Sequence, residues 1–362
     1  MQFIDLKKQY SLIKEDVLKE INEVLDSGQY IMGNKIQELE DQLGDFVGVK
    51  HTVAVADGTK ALLIALMALE IKPGDEVIVP AFTFISTASM AVLLGAKPIF
   101  VDIDPKTYNM DPNLLEQAIT SKTKAIIPVS LFGQCADLPA INSIAERYNI
   151  PVIEDSGQGF GSSLNGKKSC SFTTIACTSF FPSKPLGCYG DAGACFTHDE
   201  GLAEKMRMIR IHGQDTRYHH ALLGVNGRMD TLQAGILLAK MRILDNELKL
   251  RQIIGDRYSA LLADSNCVTP YVVPNSGHTY AQYSILVNDR AAFIEKLKVN
   301  GIPTAVHYPI PLHIQPALKQ YGVGVSLPHS ESIAKKIVSL PMHPYLDEAT
   351  QDQIVAIVKQ SV

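Results

Sequence analysis

Lys184 lies in Pro182-Ser183-Lys184-Pro185-Leu186-Gly187, a stretch in which neither helix nor strand can continue. A β-branched and apolar run, Thr173 to Phe181, leads into it and reads as a buried strand. A lysine on a stiff loop after a buried strand is a candidate Schiff-base nucleophile. Partial desolvation lowers its pKa and exposes a neutral amine. Taken alone, a loop lysine is ordinarily a solvated surface residue, so its partners elsewhere in the chain have to decide.

Asp155 follows the apolar Pro151-Val152-Ile153 run and Glu154, at the carboxyl end of an expected strand. A carboxylate there is costly to bury unless it meets a cation. Gly58 and Thr59 stand between an expected strand, Thr52 to Ala56, and a helix, Lys60 to Leu69, that is apolar all round. Such a helix start offers free N–H groups and a positive dipole end, which suit a phosphate. Simple N-capping by Asp57 or Thr59 suits the same residues equally well. Ser179, five residues before Lys184, adds a hydroxyl, and Phe84 offers a ring face. Lysine, carboxylate, phosphate donors and ring are what pyridoxal 5′-phosphate requires. The lysine takes its aldehyde, and the carboxylate keeps its pyridine nitrogen protonated.

The elements that must position these residues alternate. Strands are expected at Glu76 to Pro80, Lys97 to Asp102, Ala125 to Leu131, Pro151 to Glu154 and Gly193 to Thr197. Helices are expected from Phe82 to Leu94, from Asp111-Pro112, from Asp137 to Arg147 and from Glu200 to Ile211. This order predicts an α/β fold with a mostly parallel sheet flanked by helices, and ligands bind beyond the carboxyl ends of such strands. Tyr10 to Leu25 and Lys35 to Val47 read as an N-terminal helical arm. Thr231 to Leu262 reads as one long helix towards a smaller α/β unit. That unit has strands at Tyr280 to Val287 and Thr304 to Tyr308 and helices at Ala291 to Val299, Ser330 to Val338 and Glu348 to Lys359. The expected division is a large cofactor-binding domain over residues 1–240 and a small C-terminal domain over 241–362. His212 to His220 reads as polar and irregular.

Composition excludes several classes. The 362 residues are 46% hydrophobic and 20% charged with a net charge of −5, and no cationic run points to nucleic acid or an anionic membrane. The longest apolar run, Ala61 to Leu69, is too short to span a bilayer. Met1 to Leu6 shows no signal-peptide pattern, so a cytoplasmic location is expected. The six cysteines have no metal-ligand spacing and read as reduced, mostly buried thiols, and no metal is expected. Gly157-Gln158-Gly159-Phe160-Gly161 is not a dinucleotide fingerprint, because no helix follows, and there is no NTPase phosphate loop.

The chain also resembles the nucleotide-sugar aminotransferases of the DegT/StrS group, which have the fold type I architecture of aspartate aminotransferase. The resemblance runs from Ile4 to the C-terminus. It rests on Asp57-Gly58-Thr59, Pro80-Ala81-Phe82-Thr83-Phe84, Glu154-Asp155, Ser179 to Lys184, Gly190 to Ala194 and Asn226-Gly227-Arg228. It implies a homodimer with shared active sites. Lys184 is then the imine lysine and proton carrier, and Asp155 the partner of the pyridine nitrogen. Gln158 lies near the cofactor hydroxyl and Phe84 on the ring face. Gly58, Thr59 and Ser179 hold the phosphate, with Asn226 reaching in from the neighbouring subunit. Ser156-Gly157 stands where the family usually has two alanines, and Ala192 where it often has glycine.

Pro128 to Asp137, His212 to His220 and Ala305 to Pro311 look most like the enzymes that aminate C3 of UDP-2-acetamido-2-deoxy-3-oxo-glucuronate for bacterial surface polysaccharides. The resemblance implies L-glutamate as donor and a UDP-keto-sugar as acceptor. Arg228, with His307 and Tyr308, is then expected at the sugar acid, a reading the resemblance favours over simple packing of His307 and Tyr308 at a domain turn. Competing readings are a C4 aminotransferase acting on a 4-keto-6-deoxy sugar, and a non-catalytic regulatory homologue. Family dehydratases carry histidine at the lysine position, so Lys184 argues against that activity.

Overall fold

The computed structural model describes residues 1–362. Helix α1, Leu6–Ser27, and helix α2, Asn34–Val47, form the arm. Then come β1, His51–Val55, α3, Gly58–Ala68, β2, Glu76–Pro80, α4, Ser86–Leu93, and β3, Lys97–Val101. They are followed by β4, Thr123–Ile126, α5, Leu138–Arg147, β5, Ile153–Asp155, β6, Ile175–Ser179, β7, Gly193–Thr197, and α6, Glu200–Arg210. Asp5, Asp57, Asp137 and Asp199 each accept a backbone N–H of the first turn of the helix they precede, which starts those helices at defined residues.

Strands β3-β2-β4 form one parallel set, and β1-β7-β6-β5 form a mixed one in which only β5 and β6 run parallel. Parallel bridges from Ile126 to Val152 and from Val129 to Asp155 join the two sets into one layer. The sheet is largely parallel, as expected, but β7 runs antiparallel to both β1 and β6. Its two faces are sorted by the period of two. Val53, Val55, Ile175, Cys177 and Cys195 face the core beneath α3 and α6. Ala54, Ala176, Ala194 and Phe196 face α2 and α7, Thr231–Leu261.

The apolar α3 is buried along most of its length, as its composition required. Helix α7 contributes Leu237 and Leu244 to the core of the large sheet. Further along it contributes Ile254 and Tyr258 to a second core, built around the antiparallel pair β8, Tyr283–Leu286, and β9, Ile337–Leu340. Helices α8, Arg290–Val299, α9, Pro328–Lys336, and α10, Glu348–Lys359, complete this part.

Several local expectations change. Asp111-Pro112 starts two short 3₁₀ turns, Pro112–Leu114 and Glu116–Ala118, and no α-helix. Strand β4 stops at Ile126. Thr304 to Tyr308 forms no strand; Ala305 alone bridges to Ser339. The run expected to stay helical to Val338 ends at Lys336 and turns into β9, which pairs with β8. The polar segment after α6 contains a short hairpin, Gln214–Thr216 with His219–His220. All six cysteines are free, and all but Cys267 are buried. No helix is long and apolar enough to cross a membrane.

Candidate active site

A cavity of about 590 Å³ opens beyond the carboxyl ends of β5 and β6. Gly58, Thr59, Phe84, Asp155, Gln158, Ser179, Lys184, His307 and Tyr308 all line it. The last two come from the C-terminal part, more than a hundred residues after the others. Asn226 and Arg228 do not line the cavity of their own chain. Asn226 is exposed and bridges to Ile211, and Gly227 accepts a hydrogen bond from the Ala56 N–H at 2.8 Å, one residue before the α3 cap. Arg228 is partly buried, and its Nε has no partner.

Lys184 is partly buried on its loop, and burial brings its pKa down to about 8 against the pull of the Asp155 carboxylate. An amine in that range is still mostly protonated at neutral pH, but it gives up its proton far more readily than an ordinary lysine. The loop is tied from below by α7. Lys240, itself buried, donates to the Gly187 carbonyl at 2.5 Å and lies over the Tyr189 ring at 4.3 Å. Gln233 accepts from the Tyr189 N–H at 3.0 Å.

Asp155 ends β5. Burial raises its proton affinity, while hydrogen bonds from the Thr87 hydroxyl and the Gly157 N–H, and the nearby Lys184, oppose that rise. Thr87 donates to Oδ2 at 2.7 Å and Gly157 to Oδ1 at 3.0 Å. Gln158 is held at both ends of its amide. Its oxygen accepts from the Phe132 N–H at 2.8 Å, and its nitrogen donates to the Tyr308 hydroxyl at 2.9 Å. The Tyr308 ring lies 6.0 Å from that of Phe84. His307 Nδ1 is 2.9 Å from the Ser339 hydroxyl, and burial, with the Lys184 charge, lowers its pKa to about 4. At neutral pH it is an uncharged ring.

Thr87 was not legible in the sequence. Its one signal is spacing: Thr83, Phe84, Ser86 and Thr87 occupy the entry to α4, where the first three line the cavity and Thr87 lies behind it. Phe84 borders it, Ser86 pairs with Thr59 at 3.0 Å, and Thr87 reaches Asp155.

Asp57 caps α3 through the Lys60 N–H at 2.7 Å, so N-capping is realised. The Gly58 and Thr59 N–H groups keep no acceptor in the chain. A Cβ built on Gly58 would stand 2.6 Å from the Ser179 Cβ, so only glycine leaves this cradle open. Asp155 is largely buried with no cation in ion-pair range, which leaves room for a protonated ring nitrogen. Free N–H donors, an open cradle, an uncompensated carboxylate and a reactive amine in one cavity fit pyridoxal 5′-phosphate.

Comparison with known proteins agrees with this fit. A family model described as the DegT/DnrJ/EryC1/StrS aminotransferase family matches residues 11–359. The chain is 55% identical over 350 residues to the UDP-2-acetamido-2-deoxy-3-oxo-D-glucuronate aminotransferase of Pseudomonas aeruginosa, covering 97% of each chain. Its fold is similar to that of a crystal structure of a DegT DnrJ EryC1 StrS aminotransferase from Brucella abortus. That comparison gives a TM-score of 0.97 and 42% identity over 99% of both chains. A Bacillus subtilis structure with bound cofactor PMP gives a TM-score of 0.91 at 34% identity, over 99% of this chain and 83% of that one. Matched in sequence from arm to last helix, and in fold along nearly its whole length, this chain belongs to the DegT/DnrJ/EryC1/StrS aminotransferase family.

Proposed function

We propose that this chain is a pyridoxal 5′-phosphate-dependent aminotransferase that moves the amino group of L-glutamate to the C3 keto group of a UDP-2-acetamido-2-deoxy-3-oxo-hexuronate. The product would serve bacterial surface polysaccharides. The observation that carries the reaction is the meeting of Lys184 and Asp155 in one cavity. The Pseudomonas aeruginosa relative, named for that sugar, carries the substrate.

The cofactor, when bound, supplies an aldehyde for amino-group exchange and a protonated ring that draws in the electron pair left on a deprotonated carbon. Lys184 would hold the aldehyde, and Asp155 the ring nitrogen. The Gly58 and Thr59 N–H groups and the Ser179 hydroxyl would hold the phosphate. Phe84 would cover the ring, and Gln158 would face its hydroxyl. Freed by the incoming donor, Lys184 Nζ takes the α-proton of glutamate and later delivers a proton to the sugar carbon. One base serves both half-reactions, which predicts ping-pong kinetics.

His307 and Tyr308 reach the cavity as neutral groups, so we assign them hydrogen bonding to the sugar and not charge pairing. The cation for the sugar acid is Arg228. Because Arg228 and Asn226 lie outside the cavity of their own chain, we infer that they act in the site of a second copy, in a homodimer. Half-exposed Tyr30, Phe84 and Phe181 supply apolar surface for such a contact. We further read the chain as a cytoplasmic enzyme of two domains that meet within α7.

The test is to supply glutamate and, separately, a UDP-3-keto-hexuronate and a 4-keto-6-deoxy nucleotide sugar, and to follow the products by mass. Preferential amination of the 4-keto sugar would overturn the substrate assignment. Failure of glutamate to bleach the cofactor's visible absorbance would overturn the donor. A monomer mass in sedimentation would overturn the shared site.

A further inference from the structure

Thr87 does not border the cavity, yet its hydroxyl is committed to it. The side chain is fully buried in the first turn of α4, where a threonine commonly bonds back to the carbonyl four residues earlier. Here it bonds Asp155 Oδ2 at 2.7 Å, across 68 residues of sequence. Behind it, the buried Thr83 hydroxyl lies 3.4 Å from Thr87 Oγ1. A threonine hydroxyl has one proton. With that proton on Asp155, Thr87 can only accept from Thr83, so the direction runs Thr83 to Thr87 to Asp155.

A carboxylate has about four acceptor positions, two on each oxygen. Thr87 fills one on Oδ2 and the Gly157 N–H fills one on Oδ1. The two bonds hold one carboxylate oxygen each and leave lone pairs for a donor inside the cavity. We propose that Thr87 is a positioning residue, whose hydroxyl fixes Asp155 so that the carboxylate presents its remaining lone pairs to the ring N–H of the bound cofactor. The proposal rests on the reading that Asp155 meets the ring nitrogen. It adds that this meeting depends on a hydroxyl at position 87 rather than on its volume.

Volume and hydroxyl are separated by Thr87→Val, which keeps the shape, and Thr87→Ser, which keeps the donor. Equilibrium dialysis of the full-length, cofactor-free proteins would compare pyridoxal 5′-phosphate with its 1-deaza analogue, in which carbon replaces the ring nitrogen. Wild type should bind the natural cofactor more tightly. Thr87→Val should lose about tenfold or more for the natural cofactor and keep its affinity for the analogue. Thr87→Ser should restore the difference. If Thr87→Val does not fold, Thr87→Cys, a weaker donor of similar size, should fall between wild type and complete loss of the preference. Equal weakening of both ligands by the folded variant would mean a packing role and overturn the proposal. A wild type that binds both equally would overturn the Asp155 reading itself, and the proposal with it.

Discussion

Gln158 Nε2 donates to the Tyr308 hydroxyl at 2.9 Å, linking the loop after β5 to a residue 150 positions later. The bond joins a wall built on the large sheet to one contributed by the C-terminal part. Tyr308→Phe keeps the ring and leaves the Gln158 N–H facing an apolar edge. A stability loss of about 1–2 kcal/mol is expected, with a coupling of about 1 kcal/mol to Gln158→Leu in a double-mutant cycle. Chemical denaturation of the four proteins measures both, and additive losses would mean that the bond carries no energy.

Lys184→Arg keeps a cation on the loop but cannot shuttle a proton near neutral pH. Turnover should fall by several orders of magnitude, while the overall fold, followed by circular dichroism, stays intact. Normal transamination by this variant would remove Lys184 from the chemistry.

The same lysine makes a pH-dependent contribution to stability without cofactor. Its folded pKa of about 8 lies below the ordinary lysine value of 10.5, so the folded chain binds this proton more weakly than the unfolded one. The penalty is complete below about pH 8 and fades as pH rises to about 10.5, where both states carry a neutral amine. Cofactor-free Lys184→Met should therefore be more stable than wild type near neutral pH, with a gap that closes through that window. Urea titrations across pH would show it; a constant gap would place the effect in packing.

Gly58→Ala introduces a Cβ at 2.6 Å from that of Ser179. Something in the α3–Ser179 cradle must move, at a cost of about 1–3 kcal/mol. The cofactor dissociation constant should rise by about tenfold or more, with a smaller change in the unfolding midpoint of the cofactor-free protein. Unchanged cofactor affinity would mean that the phosphate sits elsewhere.

Asp155 and Ser179 could be read as candidates from the sequence because each ends a strand, and Lys184 because Pro182, Pro185 and Gly187 mark the loop that follows. Thr87 could not, because its partner is distant in sequence and nothing within α4 distinguishes a threonine that bonds a carboxylate. Strand β9 was hidden for a related reason. Its residues continue the helical spacing of Ser330 to Lys336, and only the distant β8 overrides it. Glu154 shows the same limit. Beside Asp155 in sequence, it points away into a buried set of donors, Ser130, Ser169 and the Cys170 N–H, at 2.6 to 2.8 Å. Residue type could not tell the two carboxylates apart; only the alternation of side chains about β5 separates them.

Helix α7 passes unbroken from the core under the large sheet into the core around β8 and β9. A linker would let two bodies swing, but a continuous hydrogen-bonded rod behaves as an axle shared by both. Along it, Lys240 grips the Lys184 loop, and Gly255 lies so close to the Tyr280 ring that a Cβ would stand 2.3 Å from it. The wall carrying the amine and the wall carrying His307 and Tyr308 are thus geared to one shaft. Swinging one wall against the other would have to bend that shaft, so clearance for a bulky nucleotide sugar is expected from side chains and loops at the mouth.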